Sequence, residues 1–237
     1  VRGLGTIINT VLVLAGSGVG YFVGHRISDT VRVTVVQTVG LVTIALGVSD
    51  AIDTHNMVFP LVGMVIGAII GELLGIEDRL EAVGRVLQRR FAKSTSEPAE
   101  GKTGKNFVTG FVTATLLFCV GPLTILGAIE DATGQTPQLY IIKGSLDGFV
   151  AVIFTATYGI GVAFSALSVF VVQGTLTLLG SFLDSALDER MRIELFAAGG
   201  LAVIAIGINL LEIKRIRLGS LLPGLLVTPV LVAIFAR

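Results

Sequence analysis

Asp147 and Lys143 are the residues of this chain best suited to do chemistry. Both fall inside an apolar run that begins at Leu139, so Asp147 lies about 12 Å into a helix rising 1.5 Å per residue. They stand four positions apart, on one helix face, and can pair. An ionisable side chain at the centre of a membrane helix costs about 2.5–3.5 kcal/mol on insertion scales and marks a functional candidate by default. A carboxylate there can hold a monovalent cation or a proton. The competing reading is a structural ion pair.

Four amides also lie in apolar runs: Asn9, Gln37, Gln173 and Asn209. Each offers an oxygen that can ligate a cation weakly and an NH₂ that can hydrogen-bond across helices. Hydroxyls at Thr10, Thr43, Thr113, Thr115, Thr124, Thr155 and Thr157 carry less weight, because mid-helix threonines commonly bond their own helix. Glu72 and Glu194 sit one turn inside span ends and are secondary candidates; Glu130, Asp131 and Glu212 read as solvated interface residues. Pro122, Pro223 and Pro229 interrupt apolar runs, where proline removes a donor and frees a carbonyl, so helix breaks are expected at all three. No catalytic constellation, metal-ligand spacing, phosphate loop or cofactor motif is present, and Ser165 and Ser168 have no histidine nearby, so an enzyme is not expected.

These residues are carried by an all-α membrane architecture. The chain is 53% hydrophobic and 14% charged, with a mean hydropathy of +0.89. Soluble domains carry near 25% charge. Basic and acidic residues balance at seventeen each, which excludes the global field that attracts nucleic acid. The single cysteine, Cys119, is expected to be a small packing residue. No secretory leader with its cleavage site is legible.

Apolar runs and their Gly, Pro or charged boundaries predict eight spans: 4–24, 33–51, 57–75, 107–129, 139–158, 163–183, 193–212 and 218–236. Gly159-Ile-Gly161 is the expected turn within the long run from Leu139 to Leu183. Between the third and fourth spans, 77–91 reads as a basic amphipathic helix lying on the inner leaflet, with Leu80, Val83, Leu87 and Phe91 as its apolar stripe and Glu81 and Arg85 paired. Residues 94–105 read as a linker with nothing to bury. With segment 76–106 in the cytoplasm, twelve of the seventeen basic residues fall inside, so both termini are expected outside.

The spans repeat. Gly40-Leu-Val-Thr-Ile-Ala-Leu-Gly47, Gly121-Pro-Leu-Thr-Ile-Leu-Gly127 and Gly200-Leu-Ala-Val-Ile-Ala-Ile-Gly207 share one pattern about 80 residues apart. Asn9 matches Gln173, Gly16 matches Gly180, and Ser49 matches Asn209. The chain is therefore expected to be a single transmembrane domain of three degenerate units, 1–76, 77–159 and 160–237, the first and third inverted. Inverted repeats are a common plan of secondary transporters, with the site near midplane. Stripes such as Gly16, Gly18, Gly20 and Gly24, or Gly63, Gly67 and Gly71, read as close-packing faces and leave a homo-oligomer open.

Several segments resemble one bacterial family. They include Gly5-Thr-Ile-Ile-Asn9, Phe107-Val-Thr-Gly-Phe-Val-Thr-Ala-Thr-Leu-Leu-Phe-Cys-Val-Gly121, Leu146-Asp-Gly148, Gly159-Ile-Gly-Val-Ala-Phe-Ser-Ala166, Gln173-Gly174 and Gly207-Ile-Asn-Leu-Leu211. The chain resembles, over essentially its whole length, the YdfK/YqgA-like inner-membrane proteins, the domain-of-unknown-function family 554. Pro122-Leu123 departs from that family's pattern. The resemblance implies a multi-pass inner-membrane protein and adds weight to cation transport, without assigning binding residues.

Two functions follow as expectations. One is a transporter or channel for a small solute or monovalent cation (Na⁺ or H⁺), with a site lined by Asn9, Asp147, Gln173 and Asn209. The other is a non-transporting scaffold that binds partners or lipid through the basic helix 77–91.

Overall fold

The computed structural model describes residues 1–24, 26–91, 103–134 and 136–236, without the side chains of 103–106 and 122. The linker expected at 94–105 therefore lies almost wholly outside the described residues. Among them the fold is all-helical: α1 (Leu4–Gly24), α2 (Asp29–Ile52), α3 (Val58–Leu73), α4 (Ile76–Phe91), α5 (Thr103–Val120), α6 (Pro122–Ala132), α7 (Gln138–Tyr158), α8 (Ser165–Leu178), α9 (Gly180–Ala186), α10 (Glu189–Leu210) and α11 (Leu218–Phe235). Among the described residues six segments are long and apolar enough to cross a membrane, and up to eight if the bent pairs α3–α4 and α5–α6 each count as one span.

The outer surface is apolar. Phe22, Leu73, Phe149, Leu178, Leu226 and Phe235 are all more than two-thirds exposed, which suits a lipid solvent and not water. The interior holds small residues and polar groups instead. α1 packs on α7, α2 on α10 and α3 on α11 in the three most extensive pairings, and each uses glycine. A Cβ on Gly16 would stand 2.0 Å from the Gly148 oxygen, and one on Gly67 would stand 2.1 Å from the Gly224 nitrogen. Gly18 has open space around it and is no part of the packing face.

The register of these contacts fixes helix directions. Gly16, Gly20 and Gly24 meet Gly148, Val152 and Ala156 in ascending order, so α1 and α7 are parallel. Gly40 meets Gly207 and Gly47 meets Gly200, so α2 and α10 are antiparallel. Gly63, Gly67 and Gly71 meet Thr228, Gly224 and Ser220, so α3 and α11 are antiparallel.

Helix α4 turns away from α3 by 52° at Gly75, where φ is +60°. Its partners all belong to one end of the bundle. Glu77 accepts from Gly219 N at the start of α11, Glu81 pairs with Arg215 in the α10–α11 connection, and Gly84 faces Val108 and Phe111 near the start of α5. Phe91 stacks on Phe164, in the 3-10 turn Ile160–Phe164 that follows α7, at a ring separation of 5.1 Å. The Glu81–Arg85 pair forms at 3.1 Å. Of the expected apolar stripe, Leu80 and Leu87 pack on the protein core, while Val83 and Phe91 are exposed, as is Val86.

Two expected spans are broken. The run 107–129 divides at Gly121, where α5 and α6 diverge by 61°. The run 163–183 becomes the 3-10 turn, α8 and α9. The turn at Gly159 is present, with φ +86°. Breaks at Pro223 and Pro229 are corrected, because α11 runs through both as one helix.

Candidate functional site

The break between α5 and α6 follows from one residue. Proline lacks the N–H that would bond the carbonyl four positions earlier, and Pro122 stands four positions after Phe118. The Phe118 oxygen finds another donor: Lys143 Nζ on α7, at 2.6 Å. The same ammonium bonds Asp147 Oδ2 one turn along. Only 6% of the Lys143 side chain and 11% of the Asp147 side chain are exposed.

Two amides complete the cluster. Asn9 Nδ2 on α1 donates to Asp147 Oδ2 and to Gln173 Oε1 on α8, each at 3.1 Å. Asn9 and Gln173 are fully buried. Asn9 Oδ1 and Gln173 Nε2 are left without a hydrogen-bond partner among the described residues. The structure thus brings together four candidates from three helices, with a backbone carbonyl from a fourth. A carboxylate, an amide oxygen and the Phe118 carbonyl, which also accepts from the Thr124 hydroxyl at 3.4 Å, form a hard-oxygen set suited to a monovalent cation or a proton. Lys143 occupies that set as a tethered cation.

The remaining candidates lie elsewhere. Asn209 is corrected: it fastens the α10–α11 connection, accepting from Ile216 N at 2.7 Å and donating to Ile216 O at 2.8 Å. Gln37 is exposed on the outer face of α2. Glu194 is buried but accepts from His55 N and Asn56 N, holding the loop before α3. Glu72 accepts from Arg217 and from Ser220 Oγ at the bundle end.

Asp131 is a further buried acid, and expecting it to be solvated was wrong. It is fully buried and accepts from Gly5 N at 2.9 Å, from Thr6 N at 3.2 Å and from the Thr6 and Thr177 hydroxyls. It satisfies orphan donors at the start of α1, where the helix dipole favours an anion. Its sequence neighbours gave no signal, since the partners of its carboxylate come from α1 and α8. Thr6 lies one turn before Asn9, and Thr177 one turn after Gln173, so the two polar clusters are adjacent along the α1–α8 seam.

At the α4 end a cavity of about 720 Å³ opens between α4, α5, α7 and α10. Its wall includes Glu81, Arg85, Thr113, Tyr158 and Asn209, and Leu116 stands at its inner limit on α5. Among the described residues no group of three or more His, Cys, Asp or Glu side chains is placed to hold a metal ion.

The family described as "Protein of unknown function (DUF554)" matches residues 4–233. The chain is 33% identical over 233 residues to "Uncharacterized membrane protein YdfK" of Bacillus subtilis, covering 96% of this chain and 95% of that one. It is 27% identical over 223 residues to "Uncharacterized protein YqgA" of Escherichia coli, covering 94% and 93%. No solved structure matches. With its apolar exterior and long apolar helices, this is a multi-pass membrane protein, and it belongs to the DUF554 family.

Proposed function

We propose that this protein is a transporter or channel for a monovalent cation or small solute, with its site at Asp147, Asn9, Gln173 and the Phe118 carbonyl. The observation that carries the reading is the Lys143–Asp147 pair, buried where helix α5–α6 breaks. Stability alone does not favour such a pair, since apolar residues of similar volume often serve as well. A transport site has a use for it. Lys143 neutralises Asp147 while no cargo is bound, and an arriving cation or proton competes for the same carboxylate oxygens.

The contact pattern supports three repeats, with the first and third inverted. Gly40 and Gly47 match Gly200 and Gly207 in sequence, yet Gly40 packs on Gly207 and Gly47 on Gly200. That exchange is what a twofold axis produces. Asn9 bonds Gln173, its own counterpart, and so falls on such an axis. The middle unit would use α5–α6 and α7, with α4 as its non-crossing first helix. Eight crossings in the bacterial inner membrane follow, with α4 and segment 76–106 cytoplasmic and both termini outside. Ion uptake by proteoliposomes tests the function. The reading predicts uptake of at least one of Na⁺, Li⁺, K⁺ or H⁺ above that of protein-free liposomes, and folded protein that carries none of these, nor a small solute, would sink it.

One observation favours the scaffold reading. Helix α4 presents Arg89 and Arg90 outward beside exposed Val83 and Val86, a face suited to anionic lipid or an acidic partner. Charge reversal at Arg89 and Arg90 should then remove partner or lipid binding and leave ion uptake unchanged.

A further inference from the structure

Seven hydroxyls within these helices are satisfied by their own helix. Thr10, Thr34, Thr38, Thr43, Ser145, Thr157 and Thr228 each donate to the carbonyl four residues earlier. Ser17 on α1 and Thr155 on α7 do not. Ser17 is fully buried and Thr155 is 3% exposed, and neither hydroxyl oxygen has a hydrogen-bond partner among the described residues. A buried polar group without a partner is costly and calls for a water, an ion or a functional reason.

Their positions form a line. α1 and α7 are parallel, and Gly20, one turn past Ser17, packs against the Thr155 side chain. In the direction of α7, Thr155 lies two turns beyond Asp147 and one turn before Tyr158, which lines the 720 Å³ cavity. Ser17 likewise lies two turns beyond Asn9. Between these hydroxyls and the cluster stand Val13 and Ala151, both fully buried. At the far side, Asn9 Oδ1 is itself without a partner.

We propose that a narrow water-accessible path joins the α4-end cavity to the Asp147 cluster along the α1–α7 seam. Its stations are the Thr155 and Ser17 hydroxyls, and Val13 and Ala151 form its barrier. Each hydroxyl offers lone pairs to a partly dehydrated monovalent cation or to the water that carries a proton. The path rests on the transport reading and adds the side from which the site is reached.

Thiol accessibility tests it separately from transport. Thr155→Cys and Ser17→Cys are made in a Cys119→Ser background, with Thr113→Cys in the cavity wall as the positive control. Silver ion, similar in size to a monovalent cation, is added to sealed vesicles from one side at a time. The expected result is loss of the free thiol at both positions from the α4 side, with none from the other. Unreacted thiols at 155 and 17 while Thr113→Cys reacts, or reaction from the opposite side alone, would overturn the path. Uptake gives the second readout, with Thr155→Val expected to lose it and Thr155→Ser to keep it; equal uptake in both overturns the hydroxyl's role. Silver reaction at positions 155 and 17 from the α4 side, in a protein whose wild type carries no ion, would retire the transport reading and leave the water path standing.

Discussion

Lys143 Nζ is held between the Phe118 carbonyl oxygen and the Asp147 carboxylate, and so links a helix break to an acid one turn along a different helix. A buried pair has a distinctive stability signature. Removing one partner strands the other, at a cost of about 3–5 kcal/mol, whereas replacing both with apolar residues is often neutral. Asp147→Leu and Lys143→Met should each lower thermal stability in detergent more than the double variant does. A double variant less stable than either single one would show that the pair does not act as a unit.

Helix packing makes a sharper contrast. Gly16→Ala drives a methyl into the Gly148 carbonyl, while Gly18→Ala enters open space. Overpacking of this kind costs about 1–3 kcal/mol. The melting temperature of Gly16→Ala should fall clearly, and that of Gly18→Ala should stay near wild type.

Pro122→Ala returns an N–H to Phe118 and lets α5 continue into α6. Lys143 then loses its carbonyl acceptor. Ion uptake should fall in this variant. Pro223→Ala should leave uptake intact, because α11 is already a single helix.

Placement of α4 at one end is checked by sided labelling. Cysteines at Arg89 and Lys214 should react from one face of sealed vesicles, and cysteines at Arg2 and Glu189 from the other. Labelling of positions 89 and 214 from opposite faces would mean that α4 crosses.

Much of this arrangement was legible in the sequence because amides and charges are conspicuous in apolar runs. Asn9, Lys143, Asp147 and Gln173 stood out for that reason, and the fold joins Asn9 to Gln173 by a hydrogen bond. Pro122 also carried its meaning in sequence: it orphans the carbonyl of Phe118. Asn209 and Glu194 look the same in sequence but serve loop backbones, which only the tertiary fold brings within reach. Asp131 failed in the other direction, since the helix end that it caps lies 126 residues away from it in the chain. The periodicity of α4 marks an apolar stripe but does not say what covers it: Leu80 and Leu87 meet the core, while Val83 and Phe91 stay exposed.

The central claim is that the Asp147 carboxylate is the group on which cargo is carried. Uptake of monovalent cations by proteoliposomes holding wild type, Asp147→Asn and Asn209→Ala tests it most directly. The account predicts uptake by wild type and Asn209→Ala, and none by Asp147→Asn. Full uptake by Asp147→Asn would contradict it.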